Sequence, residues 1–116
     1  MLRLLSKFFR IKTKELEAKL FPTPDCSFGG LAEIEAKLFG DNSAELKLSL
    51  KHSGVRDGSN LEFYSSGVNL GSAECKGGYA KIYKKVDGLN SKISLGSKAE
   101  LRIDGKVLYT GEFRPD

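Results

Sequence analysis

Residues 31–51 alternate apolar and polar side chains almost without a break, and this period of two constrains the fold more than any other feature. In "LAEIEAKLFG" Ala32, Ile34, Ala36 and Leu38 fall on one face and Glu33, Glu35 and Lys37 on the other. "AELKLSLKHSG" repeats the pattern, with Ala44, Leu46, Leu48 and Leu50 against Glu45, Lys47, Ser49 and Lys51. Ala, Glu, Lys and Leu are good helix formers, yet at helical spacing Leu46, Leu48 and Leu50 would scatter around the cylinder. Two half-buried strands follow, joined by the turn sequence Gly40-Asp41-Asn42-Ser43.

Further strands read at "LEFYS", "VNLGSAEC", "YAKIYKKV", "KISL", "AELRID" and "KVLYTGEF". Glycine turns separate them, among them Asp57-Gly58, Ser66-Gly67, Lys76-Gly77-Gly78 and Asp104-Gly105, and such pairs suit tight hairpins because the turn needs positive φ. A chain of 116 residues buries enough surface to dispense with metals or disulfides. The expected architecture is all-β, an antiparallel two-sheet β-sandwich, immunoglobulin-like in its seven or eight short strands. An internal echo supports paired hairpins: "GSNLEFYSSGVNLGSAE" set over "GSKAELRIDGKVLYTGE" matches Gly58 with Gly96, Glu62 with Glu100, Gly67 with Gly105, Leu70 with Leu108 and Glu74 with Glu112. Pseudo-symmetry between the two hairpins is the economical reading.

The opening "MLRLLSKFFRIKTK" has a different period. On a helix, Leu2, Leu5, Phe9, Leu16 and Leu20 form one stripe, which Leu4, Phe8 and Ile11 widen, while Arg3, Lys7, Arg10 and Lys14 gather opposite. Residues 1–21 are therefore expected as a basic amphipathic α-helix, ended by Pro22 and Pro24, with residues 22–30 a linker and 31–116 the sandwich. The net charge of +4 lies wholly in residues 1–20, and the rest of the chain is balanced. Arg3, Lys7 and Arg10 interrupt the apolar run, so neither an export signal nor a membrane span is recognisable. The expected location is cytoplasmic, with attachment to a membrane surface as an option.

Over residues 32–114 the chain resembles a type of small, functionally uncharacterised bacterial β-sandwich domain. The likeness lies in "AELKLSLKHSGVRDGSNLEFYSSGVNLGSAECKGGYAKIY" and in the closing "GSKAELRIDGKVLYTGEF", where Gly96, Gly105, Leu108, Gly111 and Phe113 carry it. The resemblance implies the sandwich and brings no catalytic or ligand residue.

Chemistry is sparse. Cys26 and Cys75 form no CxxC pair and His52 has no cysteine close by, so neither metal nor cofactor is expected, and the thiols read as reduced. His52 beside Ser53 lacks a nucleophile elbow. Glu33 and Glu35 share a strand face, with Lys47 and Lys51 available across the hairpin, so ion pairing outweighs acid–base work. Tyr64, Tyr79, Tyr83 and Tyr109 form the most suggestive exposed group, and Tyr79, Lys81, Tyr83 and Lys85 share one face of one strand.

The chain therefore reads as a non-catalytic binding module. Its helix would dock to a protein partner or an anionic membrane surface through residues 1–20, with Leu2, Leu5, Phe8 and Phe9 inserting and Arg3, Lys7, Arg10 and Lys14 attracting. Nucleic acid is disfavoured there by the wide apolar arc. One alternative is a ligand- or nucleic-acid-binding sheet centred on Tyr79, Lys81, Tyr83 and Lys85; another is a purely structural helix packed on the sandwich or in a homo-oligomer. A small hydrolase would need His52 to act.

Overall fold

A computed structural model describes residues 11–116 of the chain. Eight strands run in the order β1 (Lys12–Pro22), β2 (Leu31–Phe39), β3 (Ser43–Lys51), β4 (Asn60–Ser65), β5 (Val68–Glu74), β6 (Ala80–Asp87), β7 (Lys98–Ile103) and β8 (Lys106–Pro115), with one 3₁₀ turn at Asn90–Lys92. All pairs are antiparallel, in the order β5-β4-β7-β8-β1-β2-β3-β6. The sheet curls until its end strands β5 and β6 lie alongside each other with no ladder between them.

Two expectations are corrected. The fold is one nearly closed, barrel-like sheet and not a two-sheet, immunoglobulin-like sandwich. The ten-residue β8 pairs with β7 from Lys106 to Glu112 and with β1 from Tyr109 to Pro115, which makes the sheet continuous where a sandwich would break. Gly111 allows the two ladders to meet on one strand, because a Cβ there would collide with the Lys19 carbonyl oxygen. The second correction concerns the helix. Residues 12–22 form strand β1, and residues 1–10 lie outside the described part of the chain. Leu16 and Leu20, four apart, share a face in a helix and in a strand alike; Ala18, buried between them with Glu17 and Lys19 outside it, reveals a period of two. "KISL", read as a strand, runs instead from the 3₁₀ turn into a loop that buries Ile93.

The pairing of β1 with β2 follows from a repeat. Residues 15–21 read ELEAKLF and residues 33–39 read EIEAKLF. Antiparallel to each other, they place Glu15 opposite Lys37, Lys19 opposite Glu33, Leu16 opposite Ala36 and Ala18 opposite Ile34. Charges complement outside and large side chains meet small ones inside, so the segment specifies its own partner and register. The like pair Glu17 and Glu35 at the centre is flanked in the same row by Arg114 on β8 and Lys47 on β3.

The second half obeys the hairpin echo. Hairpins β4–β5 and β7–β8 turn at Ser66-Gly67 and Asp104-Gly105, all four residues at positive φ, and each carries a bulge at the matching place, Phe63/Tyr64 and Leu101/Arg102. Backbone bonds repeat as well: Ser66 N–H to Lys98 O matches Asp104 N–H to Asn60 O, and Cys75 N–H to Ser59 O matches Phe113 N–H to Ser97 O. Buried side chains recur at matching positions, Val55 with Ile93, Leu70 with Leu108 and Cys75 with Phe113. One difference opens the barrel. β8 runs on through Pro115 and so takes β1 along its edge, whereas β5 stops at Glu74, where the chain enters the Lys76–Tyr79 turn.

Inward positions fill the interior with Leu, Ile, Ala and Phe, so the barrel holds a packed core. Each fully buried Leu, Ile or Phe contributes about 1.5–3 kcal/mol.

Candidate functional site

With the inside occupied by core, chemistry has to come from the outer face and the edges. β6 pairs with β3 on one side, Tyr83 opposite Lys47, Lys85 opposite Glu45 and Lys81 opposite Ser49, and it is the last strand of the sheet. Lys81, Tyr83 and Lys85 point outward and are exposed, Tyr83 to 70%. The Lys81 ammonium lies 5.5 Å from the Tyr83 ring centroid, a cation–π contact that fixes the ring beside a positive charge. Lys84 belongs to the inward phase of Ala80, Ile82 and Val86, yet it is exposed, because it lies at the open seam facing Gly71 of β5. Shallow depressions of about 150 and 290 Å³ flank Tyr83, floored by Leu46 and edged by Glu45, Lys47 and Lys85.

Tyr79 is not on this strand. It ends a tight turn closed by Lys76 N–H to Tyr79 O and Tyr79 N–H to Lys76 O, each 2.9 Å, with Gly77 and Gly78 at positive φ. Its hydroxyl lies 2.9 Å from His52 Nδ1 and 3.0 Å from Nε2, and the two rings meet edge to face with centroids 4.9 Å apart. His52 is therefore exposed and engaged by a tyrosine. Ser53 is buried, and its hydroxyl donates to Gly78 O at 2.9 Å and accepts from Val55 N–H at 3.1 Å. That hydroxyl is committed to loop packing, which leaves a hydrolase no nucleophile at this position.

The other two tyrosines leave the proposed exposed group. Tyr109 is fully buried, its hydroxyl donating to Gly29 O at 2.7 Å. Burial pushes its phenol well above the ordinary tyrosine value, with the nearby Cys26 and Cys75 adding to the effect. Tyr64 is half-buried under the Arg102 guanidinium, 3.8 Å from the ring centroid. Cys26 and Cys75 are both free thiols, and burial raises the Cys75 pKa.

Of the residues assigned to partner or membrane docking, Leu2, Arg3, Leu5, Lys7, Phe8, Phe9 and Arg10 lie outside the described residues. Lys14 is exposed on β1, and Leu16 and Leu20 of the expected helical stripe are core. No helix among the described residues is long and apolar enough to cross a membrane.

Glu17, Glu33 and Glu35 bring carboxylate oxygens within 4.8 Å of one another on the outer face of β1 and β2. Basic side chains already surround them: Lys47 Nζ is 3.8 Å from Glu35, Lys19 stands opposite Glu33 and Arg114 opposite Glu17. The Glu35–Lys47 pair is the cross-strand contact the sequence suggested, while the Arg114 guanidinium lies 3.8 Å from Glu112. What the sequence reading missed is Lys84. The run Tyr83-Lys84-Lys85 breaks the alternation of the strand, and an inward-phase lysine is the mark of an edge.

No protein-family model matches the chain. No curated protein matches it, and no solved structure does. Fold and surface chemistry alone thus define the class, an eight-stranded antiparallel barrel left open at one seam.

Proposed function

We propose that this protein is a non-catalytic binding module that captures an anionic partner on the outer face and free edge of β6. One observation carries the reading: the strand that ends the sheet also holds Lys81, Lys84 and Lys85 around a tyrosine that is 70% exposed. An exposed tyrosine offers a flat apolar surface with a polar tip at low entropic cost, and clustered lysines steer an anionic partner to it. We assign the module to the cytoplasm, where Cys26 and Cys75 remain free thiols.

The test is titration of the full chain with a fluorescent polyglutamate peptide at low and high salt. Binding is expected to weaken with salt. Lys81→Glu together with Lys85→Glu should lower affinity about tenfold or more, on the order of 1.4 kcal/mol. Equal affinity in a folded double variant overturns the assignment.

A further inference from the structure

The backbone of β6 shows what kind of anionic partner fits. In an antiparallel ladder, residues alternate between directing N–H and C=O to the neighbouring strand and directing both away from it. The phase on β6 is set by Gly88 N–H, which donates to Asn42 O at 2.8 Å and continues the register that pairs Ser43 with Asp87. Ala80, Ile82, Lys84 and Val86 therefore spend their backbone groups on β3, while Lys81, Tyr83 and Lys85 turn theirs to the free edge. The same three residues carry the outward side chains. Free donors, free acceptors, two ammonium groups and a tyrosine thus recur together at every second position.

We propose that this edge accepts an extended acidic segment of a partner protein as a ninth strand, its acidic side chains at alternate positions beside Lys81 and Lys85. The inference rests on the anion-binding role assigned to β6 above and adds the form of the partner. Backbone groups spaced at every second residue are matched by another β-strand, whose main chain supplies affinity while side chains supply selectivity. A nucleic acid or a free anion would use the lysines and leave those backbone groups unpaired. A second copy of β6 is a poor occupant, since it would set three lysines against three, and Lys84 in the inward phase blunts the edge against such pairing. No strand of this chain forms a ladder with that edge: β5 passes alongside, Gly71 facing the Lys84 side chain, without pairing with β6.

The test uses the full chain and a seven-residue peptide with glutamate at alternate positions and valine between them. A second peptide of the same sequence carries N-methyl groups on the backbone amides that would face β6. The first is expected to bind and to slow amide exchange at Lys81, Tyr83 and Lys85; the second should bind at least tenfold more weakly. Lys85→Pro should weaken binding more than Lys85→Gln, and proline is tolerated because the Lys85 N–H is not used by β3. If both peptides bind equally and those amides stay unprotected, strand addition is refuted while anion binding at β6 stands. If neither peptide binds and polyglutamate affinity ignores the Lys81→Glu and Lys85→Glu pair, both readings fall. Tighter binding of a single-stranded oligonucleotide than of the first peptide also overturns the proposal.

Discussion

Phe63 on β4 and Leu101 on β7 stand directly opposite each other, at the centre of a local twofold relation between two hairpins. Leu61 faces Ile103 on one side of this pair and Ser65 faces Ala99 on the other, so positions equivalent in the two hairpins, 61 with 99 and 65 with 103, sit symmetrically about it. Both central side chains are fully buried. Phe63→Ala should lose about 3–5 kcal/mol and Leu101→Ala about 2–5 kcal/mol. Because the two residues pair across one ladder, urea unfolding of the double variant should differ from the sum of the singles by more than about 0.5 kcal/mol.

Leu20 and Phe21 are adjacent on β1 but face opposite ways, Leu20 buried and Phe21 58% exposed. Leu20→Ala is expected to cost about 2–5 kcal/mol, and Phe21→Ala less than about 0.5 kcal/mol. Equal, small effects in chemical denaturation would remove β1 from the core.

Two glycines give a ranked pair. A Cβ at Gly111 would enter the backbone of β1 at the Lys19 carbonyl, whereas a Cβ at Gly71 would meet side chains alone, the end of Leu48 at 2.8 Å and that of Lys84 at 3.6 Å. Gly111→Ala should therefore cost at least about 1–3 kcal/mol, because strands must separate, and Gly71→Ala clearly less, because a rotamer change relieves it. Thermal unfolding should place Gly111→Ala lowest and Gly71→Ala between it and the parent chain.

Tyr109 ties the core to the loop between β1 and β2 through its bond to Gly29 O. Tyr109→Phe should lose about 1–3 kcal/mol near neutral pH, since a loop carbonyl is left without its donor. The folded phenol has its pKa raised by burial. The stability linked to it is complete below the unfolded value near 10 and declines as pH rises above that, because only the unfolded chain then ionises. The gap between parent and Tyr109→Phe in denaturant titrations should accordingly shrink from pH 8 to pH 11.

Much of the site could be read from the chain. The outward set Lys81, Tyr83 and Lys85 follows from alternation alone, because a strand leaves its odd and even residues no other choice. Tyr79 did not follow, since Gly77 and Gly78 at positive φ turn the chain and hand its hydroxyl to His52, a residue of another loop. Tyr109 illustrates the same limit: its exposure was decided by which loop covers it.

Alternation and glycine turns determined the antiparallel strands from β2 onward, though they also marked KISL, which is loop, together with the hairpin echo and the charged outer face, because a period of two and a positive φ are local demands. β1 reads as a helix from the chain alone: ELEAKLF matches EIEAKLF, but a leucine spacing of four satisfies a helix as well as a strand, and only a partner strand breaks the tie. Tertiary structure alone decided between sandwich and barrel. That choice depends on how far β8 continues past Gly111 to hold β1 and how early β5 stops beside β6, and strand length at an edge is set by neighbours distant in the chain.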